Sequence, residues 1–320
     1  MMTSVLQTIQ EFGVCLPAGI EALLMDAKSA KALLPLRKRN SHKGDYGRAA
    51  IVAGSIDYTG AAYLSAVACL RAGAGYTTLF VPKEILPLYA LKAPEILLKP
   101  TNEGSRYAFN EEVMQDVLAY DSVAYGMGMG ATKEVFEGAK YLLQHYTGKL
   151  ILDADGLNSL AQFAREEFGA LFCNKKCDVI ITPHGKEFSR LTNKSVDEIL
   201  SDSVQETMLF AKRYQVTVLL KNALSIVSDG ERVVLNAAGN SGQAKGGSGD
   251  VLSGVIAGLC AGGLNTFDGG ALAAYLVGKS AEFGALDFGE YSLTASELIA
   301  YLPKAFLFVA KDTDENSGQQ

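Results

Sequence analysis

The sequence predicts an α/β fold in three layers, with helices covering both faces of a central, mostly parallel sheet. Three observations lead there. From Arg48 onward, short apolar runs of strand length alternate with longer helical runs. Nearly every glycine or polar cluster falls just after one of those strands, at the carboxyl edge where open parallel sheets bind ligands. The chain has 320 residues, 48% of them hydrophobic, enough for a sizeable core, and no Ser-, Pro- or charge-rich linker and no internal repeat divides it.

Residues 1–45 are mixed. Helical spacing over Ala22–Leu34 predicts a helix there, and residues 1–40 are expected as an N-terminal helical segment ahead of a single domain over 41–310. Arg37-Lys38-Arg39 reads as a solvated loop. Ala49–Gly54 reads as a buried strand ending in glycine, Ala61–Arg71 as a small-residue helix and Tyr76–Val81 as the next strand, which together make a βαβ unit. Ser122–Tyr125 is a short strand before Gly126-Met127-Gly128-Met129-Gly130, and Thr132–Gln144 is a helix. Leu150–Leu152 is a strand ending at Asp153-Ala154-Asp155, and Val179–Thr182 one ending at Pro183-His184. Glu206–Tyr214 is a helix and Val216–Lys221 a strand. Ser225–Ser228 and Val233–Asn236 flank Asp229-Gly230, a hairpin signal. Helices fill the rest to about Phe308, and Lys311–Gln320 is a polar tail expected to fray.

Composition excludes several classes. The formal net charge is −6, from 29 basic and 35 acidic residues, which gives no electrostatic reason to expect nucleic acid or an anionic membrane as partner. No apolar stretch reaches the ~18 residues that span a bilayer, and Met1–Gln10 lacks the basic start and apolar core of a secretory signal. Cys15, Cys69, Cys173, Cys177 and Cys260 form no regular framework, and the CxxxC pair has no second Cys or His pair to complete a zinc site. Reduced, buried thiols are the expectation, which suits the cytoplasm.

The most informative run is Lys245-Gly246-Gly247-Ser248-Gly249-Asp250, followed by the apolar stretch 251–263. Glycines and a serine leave backbone N–H groups bare, and a helix N-terminus behind them is a natural anion site. Asp250 at that positive end reads either as a helix cap or as a base for a hydroxyl about to attack phosphorus. A cap needs no glycine-rich approach. Gly254 and Gly258 have the spacing of a membrane dimer motif, but the stretch is too short to span, and core packing explains it better.

Gly54-Ser55, Gly126–Gly130, Asp153–Asn158, Thr182–Glu187 and Lys221–Ser225 each follow a strand. Loops on one edge of one sheet converge on one crevice. Each has a plainer alternative: tight packing for the glycines, solvation or a backbone bond for His184, helix capping for Glu187, Asp155 and Asn158. Lys221 is harder to explain away, because a lysine beside apolar Val218–Leu220 needs a partner, for which a nucleotide phosphate or ribose is a candidate.

These loops together resemble the NAD(P)H-hydrate dehydratase family, within the ribokinase-like superfamily. The resemblance runs from about His42 to Leu302. It is carried by His42-Lys43-Gly44-Asp45-Tyr46-Gly47, Ala53-Gly54-Ser55 with Tyr58-Thr59-Gly60-Ala61-Ala62, Arg71-Ala72-Gly73-Ala74-Gly75, Asp153–Asn158, Thr182-Pro183-His184 with Glu187, and Ala244–Asp250. Two departures stand out. Gly126-Met127-Gly128-Met129-Gly130 replaces the family's usual Gly-Pro-Gly-Leu-Gly, and Lys221-Asn222-Ala223-Leu224-Ser225 replaces Lys-Gly-x-x-Thr, so that Asn222 adds a side chain where close approach is usual.

The resemblance implies a ribokinase-like three-layer α/β/α sandwich. It implies repair of hydrated NADH and NADPH, the S epimer, by phosphorylation of the ring hydroxyl and loss of phosphate. By motif, Asp250 is the catalytic base; Ala61, Gly128, His184 and Asp250 line the hydrate site; Lys221, Asn222, Ala223, Leu224, Ser225 and Gly249 bind the nucleotide; and Gly246, Gly247, Ser248 and Gly249 form the anion hole. Asp155, Asn158 and Glu187 hold water or a divalent metal. The implied cofactors are Mg2+ and ADP, favoured over ATP, as phosphoryl donor. A homo-oligomer, a tetramer, is implied, and so is a separate epimerase, because the length leaves no room for the epimerase domain fused to some members. The alternatives are a ribokinase-like kinase for a vitamin precursor or sugar, which would stop at the phosphorylated product, and a non-catalytic dinucleotide sensor, which would need no base at position 250.

Overall fold

The computed structural model describes residues 2–164 and 166–311; most of the polar tail lies outside them. Ten strands build one sheet: β1 (Ala22–Leu24), β2 (Arg48–Val52), β3 (Tyr76–Val81), β4 (Leu97–Pro100), β5 (Ser122–Tyr125), β6 (Lys149–Leu152), β7 (Asp178–Ile181), β8 (Thr217–Leu220), β9 (Ser225–Ser228) and β10 (Val233–Asn236). The helices of the first half are α1 (Met2–Glu11), α2 (Ala27–Leu33), α3 (Thr59–Arg71), α4 (Leu86–Lys92), α5 (Glu111–Val117), α6 (Lys133–His145), α7 (Asp155–Phe163) and α8 (Phe168–Cys173). Those of the second half are α9 (Gly185–Thr192), α10 (Val196–Ser201), α11 (Ser203–Tyr214), α12 (Ser248–Ala261), α13 (Thr266–Ser292, broken at Gly289) and α14 (Ala295–Lys311).

The order across the sheet is β1-β10-β9-β8-β7-β6-β5-β2-β3-β4. Only β9 runs antiparallel to its neighbours, through the hairpin β9–β10 around Asp229-Gly230. The direction of winding reverses between β2 and β5, which pair in parallel. Such a reversal opens a crevice at the carboxyl ends of the two strands, and Gly54-Ser55 and Gly126–Gly130 lie there.

Successive residues of a strand point to opposite faces. On β2, Ala49 and Ile51 enter one core while Ala50 and Val52 enter the other. The first core is closed by α2, α3, α4, α12, α13 and α14, the second by α1 and α5 to α11. The result is the three-layer arrangement the sequence predicts.

One element differs. The helix expected over Ala22–Leu34 is a strand, β1, followed by α2, and β1 pairs in parallel with β10. Asp26 makes the break: its carboxylate accepts the Ser29 N–H at 2.7 Å, the capping bond that starts a helix anew. A three-residue strand is too short to show a period of two.

Candidate active site

Helix α12 begins at the glycine run. Gly247 is its N-cap at φ +98°, where a β-carbon would also come within 2.7 Å of Leu64 Cδ1 and 2.8 Å of Ala295 Cβ. The position is closed to any side chain on both counts. A β-carbon on Gly246 would meet nothing within 4 Å, so the loop opens outward there. The Ser248 hydroxyl is buried with no hydrogen-bond partner. An unpartnered polar atom beside free helix N–H groups suits an anion that supplies the missing acceptor.

Asp250 is the third residue of α12 and not its cap. No hydrogen bond from a described residue reaches its half-buried carboxylate. Burial pushes it up to about 7, with Asp153 and Asp155 raising it further and Lys221 opposing. A carboxyl balanced near neutrality and free of partners is suited to take a proton.

Behind Asp250 lies a polar network in which Asp153 and Ser253, two residues the sequence does not single out for the site, join Lys221 and Glu187. Asp153, 1% exposed, follows β6. One of its oxygens accepts from Lys221 Nζ at 2.8 Å, the other from Ser253 Oγ of α12 at 2.7 Å. Glu187 Oε2 stands 3.8 Å from the same ammonium. Burial pulls the Lys221 ammonium down, but the Asp153, Glu187 and Asp250 carboxylates outweigh it and hold it above its usual value. Glu187 is itself pushed up by burial. A β-carbon on Gly249 would sit 3.5 Å from Lys221 Nζ, so this cation adjoins the cradle. The partner that Lys221 needs is thus a carboxylate of the protein. The sequence shows an acid at one strand end and a lysine at another, but the order of the strands that brings them together is not written in either loop.

Ala154 separates Asp153 from Asp155 at φ +49°, a strained value for a residue with a β-carbon. The turn sends the two acids apart: Asp155 Oδ2 accepts the Gly130 N–H at 2.7 Å. On the other wall, a β-carbon on Gly128 would stand 2.7 Å from Ala61 Cβ, which puts two expected hydrate-lining residues side by side. Ser55 Oγ donates to Gly128 O at 2.9 Å and fixes that loop to the end of β2.

His184 and Glu187 realise the plainer reading as well. His184 caps α9, its Nδ1 accepting from the N–H groups of Lys186 and Glu187 at 3.1 and 3.3 Å, while Glu187 Oε2 accepts from His184 N at 2.9 Å. This fixes Nε2 as the proton-bearing nitrogen of the neutral ring. Backbone bridging joins His184 to Lys221, and the Thr182 hydroxyl beside it is buried without a partner. Neither Asp155 nor Asn158 caps α7, whose N-cap is Ala154.

Asn158 Nδ2 donates to Asp155 Oδ1 at 3.5 Å, while Glu187 is bonded to the start of α9. Asn158 Oδ1 accepts from Arg190 at 2.7 Å, on the wall of a separate cavity of about 900 Å³. Among the described residues no cluster of three His, Cys, Asp or Glu side chains is arranged to hold a metal. In the loop after β8, Leu224 is core, 1% exposed, so its side chain packs inward and does not line the crevice. Asn222 folds back to accept the Ala223 N–H at 2.9 Å, and Ser225 Oγ donates to Asn222 O at 3.1 Å.

A family model described as NAD(P)H-hydrate dehydratase matches residues 49–304. The bifunctional NAD(P)H-hydrate repair enzyme Nnr of Thermofilum pendens is 35% identical over 285 residues, 87% of this chain and 53% of its own length. The chain spans about half the length of such bifunctional relatives. The ADP-dependent (S)-NAD(P)H-hydrate dehydratase of Cenarchaeum symbiosum is 31% identical over 285 residues, 88% of this chain and 96% of its own. Among solved structures, the ADP/ATP-dependent NAD(P)H-hydrate dehydratase of Bacillus subtilis co-crystallised with ATP and Mg2+ has a TM-score of 0.79 at 28% identity, covering 91% of this chain and all of that one. A hydroxyethylthiazole kinase from Pyrococcus horikoshii, 13% identical with a TM-score of 0.55 over 87% of this chain and 92% of its own, shares the fold alone.

Proposed function

The chain belongs to the NAD(P)H-hydrate dehydratase family, and on that premise we propose that it restores NADH and NADPH from their S-hydrates at the expense of an adenine nucleotide. The observation that carries the proposal is the unpartnered Asp250 carboxylate in the first turn of α12, beside a glycine cradle and the Lys221–Asp153 pair.

Asp250 takes the proton of the ring hydroxyl as that oxygen attacks the terminal phosphorus of the nucleotide, whose bond to the bridging oxygen breaks and releases a nucleotide shorter by one phosphate. The N–H groups of Gly246 to Gly249 and the Ser248 hydroxyl stabilise charge on the transferring group. Hydroxide is a poor leaving group and phosphate a good one. The carbon–oxygen bond then breaks with loss of a proton from the neighbouring ring carbon, and the double bond returns. Ala61, Gly128 and His184 line the hydrate pocket; Lys221 to Ser225 and Gly249 hold the nucleotide.

ADP is the favoured donor, in keeping with the name of the Cenarchaeum relative, which is matched over 96% of its length. A Mg2+ ion would neutralise phosphate charge. The residues fit an ion carried on the phosphates, with one or two carboxylates such as Glu187 or Asp155 reaching its waters, and not a protein cage. Cytoplasmic location and pairing with an epimerase for the other hydrate belong to the same proposal.

The test is stoichiometric. Purified protein given hydrated NADH with ADP or ATP should release one inorganic phosphate for each reduced nicotinamide absorbance restored. Accumulation of a phosphorylated substrate without that absorbance would identify a kinase, and nucleotide and dinucleotide binding without either would identify a sensor.

A further inference from the structure

The structure holds a second large concavity, of about 1140 Å³, at the amino edge of the sheet and so opposite the crevice. Its walls include Tyr46, Gly73 and Pro94, which come just before β2, β3 and β4. Its floor is aliphatic and aromatic, from Leu34, Val67, Leu70, Leu259 and Phe306. The volume, a little above the roughly 300–1,000 Å³ of typical ligand pockets, leaves room for a small organic ligand.

The charge around it is one-sided. Lys31, Arg37, Arg71 and Lys92 line it against a single acid, Glu95, in a chain whose net charge is −6. Arg37 lies 3.8 Å over the Tyr46 ring and donates to Gly73 O at 3.3 Å, and Lys92 stands 5.7 Å from the Tyr63 ring centroid. Among the described residues no carboxylate pairs with Arg37, Arg71 or Lys92. Cations without acid partners around an apolar hollow are complementary to an anion with an apolar body.

We propose that this cavity is a second ligand site, separate from the crevice, for a singly charged anion with an aliphatic tail, of which a long-chain acyl carboxylate is the matching class. The carboxylate meets Arg71 and Lys92 at the rim, and the tail lies on Leu34, Val67, Leu70 and Phe306. The site lies at the far ends of α3 and α12, the two helices whose first turns carry Ala61 and Asp250.

Titration calorimetry with sodium dodecanoate below its micelle concentration tests this without reference to catalysis. One dodecanoate should bind per chain, dodecyltrimethylammonium at least ten-fold more weakly, and butyrate not measurably. The double substitution Arg71→Glu and Lys92→Glu, at exposed positions, should weaken dodecanoate at least ten-fold while circular dichroism stays unchanged. Asp250→Asn should bind it as the unaltered protein does. Absence of dodecanoate binding, equal affinity for the cationic amphiphile, or loss of binding in Asp250→Asn would each overturn the proposal. So would light scattering in which Leu307→Glu splits an oligomer of a protein that takes up no dodecanoate, because the face would then lie between copies of the chain.

Discussion

At the scale of single residues, the chemistry turns on how Asp250 is surrounded. A carboxyl held at about 7 in the folded protein against 3.8 for the ordinary group binds a proton that the unfolded chain has already released. That group therefore favours the fold at low pH, and the advantage is lost as pH rises through the interval between the two values. Asp250→Asn removes the charge and with it the cost. Its melting temperature should exceed that of the unaltered protein by more at pH 8 than at pH 5, as differential scanning calorimetry would read. The same value places the acid limb of kcat/KM near pH 7, with activity rising as the base deprotonates. Asp153 is one cause of the raised value, so Asp153→Asn should move that limb to lower pH as well as reduce the rate; a limb that stays in place would mean that Asp153 does not act on Asp250.

Much of this was legible residue by residue. The glycine run, Asp250, Lys221 and the loops around them are read from the sequence as one crevice, and the structure places the cradle, Lys221 and Asp153 in contact. The Lys221 partner was not legible, because pairing across strands β6 and β8 is set by sheet order and not by local pattern. The side-chain partners of Asp155, Asn158 and Glu187 were not legible for a similar reason. Each sits in a strand-end loop, but side-chain direction sends Asn158 toward Arg190. Asn222 bonds its own neighbour, which withdraws the Ala223 N–H from any ligand. Asn222→Gly should lower the KM for nucleotide, measured by initial rates against ADP, with kcat little changed.

At the scale of elements, α12 and α3 form the beam that holds the cradle. A β-carbon on Gly254 would stand 2.1 Å from Ser65 O, and one on Gly258 2.5 Å from Cys69 O. The four-residue glycine spacing therefore serves close helix packing inside one chain, the reading the sequence favours. Among the described residues no helix is long and apolar enough to cross a membrane. Gly254→Ala must move backbone against backbone, and overpacking of this kind costs about 1–3 kcal/mol. Chemical denaturation should show a loss of that order, with activity falling alongside as the cradle shifts relative to Ala61. Strands and helices of ordinary length were legible from period and breakers, whereas β1, at three residues, and the edge strand β4, ending in Pro100, carry too little pattern.

At the scale of the whole molecule, the ten-stranded sheet reverses its winding between β2 and β5, and the polar loops collect at that edge. The sequence leads to a parallel sheet and to the edge on which its loops lie, because turn residues mark strand ends. The order of strands was beyond it, since it depends on long-range pairing. The surface also exposes Leu286, Phe288 and Tyr291 of α13, the last at 99%, and exposed apolar side chains of this size are compatible with association between copies. A homotetramer is expected by light scattering at micromolar concentration; a monomer there would contradict it.

The proposed reaction has Asp250 accept the proton of the hydroxyl that receives phosphate in the glycine cradle. It is tested most directly by Asp250→Asn, assayed for ADP binding by calorimetry and for phosphate release from hydrated NADH. Unchanged ADP affinity is expected, with turnover lower by ~10²-fold or more. A variant that keeps more than about a tenth of the turnover would contradict it, because loss of a general base costs more than that.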